Sequence, residues 1–199
     1  MNDSPPSSRD PSWYETRFRL AWDNLRGIND FIRFADDKAR SLLTIATVFM
    51  SGFLASAFPV VTLARSWSSP GGSILFYLSL IGMVPIAALF LTEMMLAMHH
   101  LLMVLRPRIV EGAADGPASP FFFPSAVAMG SRGVAGFWQE FDPRAGIELI
   151  AHEIATNASI AQDKFHHIAA ASRFISISVY TVFVYIDLLA IAIVFSTGH

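Results

Sequence analysis

The chain has 199 residues, 53% of them hydrophobic and only 15% charged, with no cysteine and a formal net charge of -2. Soluble domains usually carry about 25% charge, so this balance, with a mean hydropathy of +0.47, points to a membrane protein. The missing cysteines exclude a disulfide scaffold, a thiolate zinc site, an iron–sulfur cluster and a cysteine nucleophile, and the charge argues against a nucleic-acid polymer as partner.

Residues 1–12, rich in Ser, Pro and Asp, cannot bury a core and read as a disordered tail. They lack the basic start and apolar run of a signal peptide. Residues 13–40 read as a cytoplasmic juxtamembrane helix. Phe18, Ala21, Leu25, Ile28, Ile32 and Ala35 recur at steps of three and four, the signature of one buried helical face. Arg17, Asp23, Arg26, Asp30, Arg33 and Asp37 occupy the other face. Such a stripe suits packing against a second helix.

Three apolar runs follow, at 41–63, 73–96 and 174–196, each meeting the roughly 20 residues a bilayer crossing needs. A link at 64–72, ending in Pro and Gly, turns the first run back into the second. Lysine and arginine set the orientation. Arg9, Arg17, Arg19, Arg26, Arg33, Lys38 and Arg40 precede the first run, and Arg106, Arg108, Arg132, Arg144, Lys164 and Arg173 lie between the second and third. The link holds Arg65 alone, and the end at 197–199 holds none. This distribution predicts a cytoplasmic N-terminus and a cytoplasmic 97–173 region, with the 64–72 link and the C-terminus periplasmic.

Within 97–173, prolines and glycines across 107–144 permit only short elements, an apolar turn at Phe121–Phe123 and a short helix near 132–141. Residues 145–173 read as a long helix with Ile150, Ile154, Ala158, Ala161, Phe165 and Ile168 on one face, running straight into the third span. At roughly 1.5 Å per residue it extends about as far as the 13–40 helix, so the two are expected to lie side by side. The predicted fold class is an all-α membrane protein: three transmembrane helices whose juxtamembrane extensions pack as a cytoplasmic bundle.

Enzyme signatures are missing: no GxxxxGK[ST] loop, no GxGxxG after a strand, no GxSxG elbow and no HExxH. His99 and His100 follow Glu93 at the wrong spacing for one helical metal face, and a position at the membrane interface explains them. Glu153 with His152, and Asp163 with His166 and His167, read as surface charge. The expectation is a protein with no catalytic residue, cofactor or metal. Charges within the spans say more. Asp187 lies just past the middle of the third span, where an ionisable side chain costs at least ~2.5–3.5 kcal/mol, so it is expected to face helices or water. Glu93 is near the cytoplasmic end of the second span, within reach of the interface. Gly52 and Ser56 form a small-xxx-small pair beside the hydroxyl row Thr44, Thr47 and Ser51, which suits close helix contact. Asp187, Thr47 and Ser51 are therefore candidates for a helix contact or a polar membrane path.

The stretch FIRFADDKARSLLTIATVFMSGFL, from Phe31, sets Arg33, Asp36, Asp37, Lys38 and Arg40 immediately before the first span. Basic residues snorkelling at the interface account for such a cluster by themselves. The stretch also resembles the F-A-D-x-K-A approach to the first span in the transmembrane effector family of Pycsar antiphage systems. The likeness continues through the hairpin of spans, LRPR at 105–108, FFFPSAVAMG at 121–130, IAQDKF at 160–165 and the final span. Ala35, Asp36, Lys38 and Ala39 match the family's junction motif, while Asp37 stands where smaller or hydroxyl residues are common.

The resemblance implies an effector in the bacterial inner membrane, driven by a cyclic pyrimidine mononucleotide, cCMP or cUMP, from a partner cyclase. Its response impairs the membrane and ends in abortive infection, and a homo-oligomer in the lipid bilayer is expected. A phosphate ligand needs counter-charges outside the bilayer, which makes Arg33, Lys38, Arg40 and Lys164 the candidate ligand residues, in a cleft between helices. The rival readings are a constitutive channel or transporter subunit, and a membrane anchor or scaffold with no nucleotide ligand.

Overall fold

A computed structural model describes residues 11–65, 74–106, 120 and 123–196. The described residues form four helices and no strand: α1 (Pro11–Arg65), α2 (Ile74–Leu105), α3 (Phe123–Gln139) and α4 (Pro143–Ser196). Three of them, α1, α2 and α4, contain stretches long and apolar enough to cross a membrane. The expected tail over 1–10, the turn of the 64–72 link beyond Arg65, most of the Pro/Gly segment before α3, most of the Phe121–Phe123 turn and the end at 197–199 lie outside the described residues.

The helix boundaries follow local chemistry. Pro11 and Pro143 stand at first helical positions, where a missing N–H costs nothing and φ is already helical. Asp142 caps α4: its Oδ1 accepts from the Arg144 N–H at 3.0 Å and its carbonyl accepts from the Gly146 N–H at 2.9 Å. The short helix expected near 132–141 is the second half of α3, which ends at Gln139 and is joined at a kink to a preceding helical stretch from Phe123. Gly130 takes φ 64° and ψ 177° inside α3, a conformation essentially reserved for glycine.

The chain divides into two compact units, Met1–Ala35 with Pro107–Lys164, and Asp36–Arg106 with Phe165–His199. In the first unit, the stripe read from the sequence is the inward face of α1: Leu25 and Ala35 are buried and Phe18, Ala21, Ile28 and Ile32 half-buried. The charged residues of the opposite face, Arg17 through Arg33, are exposed. The α4 stripe needs correction. Ile150 and Ala161 are buried as expected, but Ala158 is exposed, and Glu153 and Lys164 are buried instead. Glu153 is therefore not surface charge.

In the second unit α1 and α4 run parallel and α2 antiparallel to both. Ala46 packs with Phe90 and Met94, joined by Ile175 and Val182. Further along, Phe53 and Val60 pack with Phe76, Leu80, Tyr185 and Ala192. Phe53, itself partly buried, joins the two clusters, stacked on Phe90 at 4.1 Å and tilted against Tyr185 at 4.9 Å between ring centroids. Burying large aromatic rings in this way supplies both contact area and a favourable ring geometry.

Candidate functional site

The first unit brings aromatic rings and guanidinium groups together. Phe18 meets Phe141 edge-on at 5.1 Å, and Phe137 and Trp138 lie against Phe141 at 5.7 and 5.4 Å. Gly146 lets them close in, since a Cβ there would collide with the Phe141 ring and press on Phe18 at 3.1 Å. Arg144 sits over the Tyr14 ring at 4.7 Å and Arg17 over Trp13 at 5.1 Å, within cation–π range. Further along, Asn157 donates to Asn29 at 3.1 Å. Burial pushes the Glu153 carboxyl above its ordinary range, with the neighbouring His152 opposing that shift in part. Sequence reading misses this aromatic group because its members come from 13–18 and 137–146, with no shared motif to join them.

The second unit holds a buried acid, an outward acid and a histidine pair. Glu93 is buried, and the Thr181 hydroxyl donates to its Oε2 at 2.9 Å. The expectation that Glu93 reaches the interface is thus wrong. Its place on α2 points it at α4, and a polar group inside an apolar bundle takes the nearest partner. Asp187 shows the reverse. It is exposed on the surface of the chain instead of facing the chain's own helices. Thr44, Thr47 and Ser51 are exposed too, each hydroxyl donating to the carbonyl four residues earlier. Beside them a groove of about 340 Å³ opens between α1 and α4, lined by Val48, Phe49, Gly52, Ser56, Val182 and Ile186 among others. Nearer the α2 end, the Nδ1 atoms of His100 and His167 lie 3.0 Å apart, and the His100 ring stacks on Phe174 at 5.8 Å.

With this geometry in place, one comparison decides the family. The description "Pycsar effector protein domain" matches residues 20–195. The chain belongs to the Pycsar effector family. No curated protein and no solved structure matches it. In this Pycsar effector the junction motif has a packing reason: Ala35 and Ala39 are both fully buried, and Asp36 is half-buried. Small side chains on the inward face let neighbouring backbone approach. The candidate ligand residues fall in different places. Arg33 and Lys164 belong to the first unit, Lys38 and Arg40 to the second. Arg33 and Arg40 are exposed and paired with Asp30 and Asp37 at 3.9 and 3.6 Å. Lys38 is exposed, whereas Lys164 is buried.

Proposed function

We propose that this Pycsar effector senses cCMP or cUMP made by a partner cyclase after phage infection and responds by impairing the inner membrane, ending in abortive infection. The family match over residues 20–195 carries this reading, because that range takes in all three membrane-length helices as well as the polar segments between them. A cyclic mononucleotide brings one phosphate charge. Arg33 and Arg40 are held by exposed ion pairs, which contribute about 0–1 kcal/mol, so exchanging the carboxylate for a phosphate costs little. Lys164 is different: its buried ammonium meets a ligand only when α4 repacks locally, which makes it the cation best placed to tie binding to a change of state. Charge-assisted bonds of about 1.5–3 kcal/mol each, formed in one arrangement only, bias two arrangements by roughly ten- to a hundredfold.

The test measures binding of labelled cCMP, cUMP, cAMP and cGMP to the purified protein in detergent. In parallel, entry of a membrane-impermeant dye is followed in cells with and without the cyclase. A pyrimidine nucleotide should bind, and dye should enter only when the cyclase is active. Lys38→Ala and Lys164→Ala proteins should insert normally and lose the nucleotide-dependent dye entry. Dye entry without the cyclase favours a constitutive channel, and unchanged nucleotide affinity in both variants moves the ligand site elsewhere.

A further inference from the structure

One outward row of α4 differs from its neighbours. Ile177, Tyr180, Val184, Asp187, Ile191 and Val194 follow at alternating steps of three and four, and all six are exposed. Ile177, Val184 and Ile191 recur every seven residues, and so do Tyr180, Asp187 and Val194. This is the repeat of a parallel coiled coil, with β-branched residues at one of its two core positions. The row points away from the chain's own bundle: Asp187 lies two residues beyond the buried Tyr185, about 200° around the helix. No described residue bonds or ion-pairs with Asp187. The adjacent exposed row, Phe183, Ile186, Ala190 and Ile193, is wholly apolar and suits lipid.

We infer that the Ile177–Val194 row is a self-association seam on which α4 of a second copy packs in parallel, with Asp187 meeting Asp187. The inference rests on the reading that α1, α2 and α4 cross the membrane. Every copy inserts with the same orientation, so α4 runs in one direction in each, and rotation about the membrane normal sets each residue at its counterpart's depth. Facing each other, the two Asp187 side chains give one another a polar partner, which lipid tails do not offer. A single carboxyl in a mostly apolar seam also fixes register, because any slip leaves both carboxyls in hydrocarbon.

The absence of native cysteine allows a clean test in the full-length protein in native membranes. Single cysteines are placed at each position from 176 to 194 and oxidised, and disulfide-linked dimer is measured. Dimer should peak at Ile177, Tyr180, Val184, Ile191 and Val194 and fall at Phe183, Ile186, Ala190 and Ile193. Asp187→Asn should keep the cross-link formed by Val184→Cys, while Asp187→Leu should weaken it about three- to tenfold. Peaks on the Phe183–Ile193 row, a flat profile, no dimer in correctly inserted protein, or full cross-linking with Asp187→Leu would overturn the seam. Seam cross-links together with dye entry that ignores the cyclase would refute the effector reading and leave the seam standing. Cyclase-dependent dye entry with no seam cross-links would do the opposite.

Discussion

Glu93 and Asp187 are both acids in membrane-length helices, yet their surroundings are opposite. Glu93 is enclosed and receives the Thr181 hydroxyl, so removing the donor leaves a buried acceptor without its partner. Thr181→Val should lower stability by about 1 kcal/mol, in the range of hydrogen bonds between membrane helices, as read by denaturation in detergent. Glu93→Gln should cost less, because an amide carbonyl still accepts; a loss as large as that of Thr181→Val would contradict this account of the pair. Glu153, outside the spans, is a third case. Burial raises its folded pKa above the ordinary 4.5. Its neutral form is therefore favoured by folding, and that contribution is complete below pH 4.5 and is lost as pH rises through the folded value. Glu153→Gln should therefore stabilise the protein at neutral pH, with the gain vanishing below pH 4.5. Thermal unfolding across that range checks the sign. Nothing in the sequence separates Glu93 from Asp187, since side-chain identity is silent about which way a residue faces when most of its neighbours are apolar.

At the scale of elements, legibility depends on contrast. Phe18 to Ala35 are readable as an inward stripe because charges fill the opposite face of α1. On α4 the run IELIAHEIATNASIAQDKF offers two competing stripes one step apart. The more apolar one passes through Ile154 and Ala158, but the buried one passes through Glu153, Ala161 and Lys164. Charged residues argue against their own burial, and a sequence pattern cannot show that packing will tolerate them. The junction alanines carry a sharper expectation. Ala39 has no exposed surface, so Ala39→Leu should overpack the second unit and cost about 1–3 kcal/mol, whereas exposed Lys38→Leu should cost far less by the same unfolding measurement. Gly130 makes a comparable point for α3. With φ at 64°, Gly130→Ala should strain the backbone by about 1–3 kcal/mol even though a methyl group there meets nothing within 4 Å. Restored stability on combining Gly130→Ala with nearby cavity-making changes would show that space, not backbone, is limiting.

At the scale of the whole molecule, the parallel course of α1 and α4 with α2 antiparallel in the second unit agrees with three successive crossings, and the arginine and lysine distribution predicts their direction. A reporter that works only in the periplasm should be active at the C-terminus and silent at the N-terminus; the reverse pattern would end the three-crossing reading. The spans themselves are legible in the sequence because an apolar run of about 20 residues is longer than a buried core segment needs and matches the thickness of a bilayer. Their mutual rotation is not legible, since uniformly apolar helices carry no periodic contrast. That is why the Phe53 core and the His100–His167 pair emerge only in three dimensions. The pair has a consequence in proton counting. A bond between two Nδ1 atoms 3.0 Å apart holds one proton, not two. If His100 donates and is neutral, its Nε2 is bare and His167 must carry its own proton on Nε2; the opposite assignment is equally complete. The two rings therefore share a single mobile hydrogen between α2 and α4. One more proton goes to the bare Nε2 of the donor ring and leaves the bond in place; only a second, on the accepting Nδ1, makes both facing nitrogens donors and ends this link between the two helices.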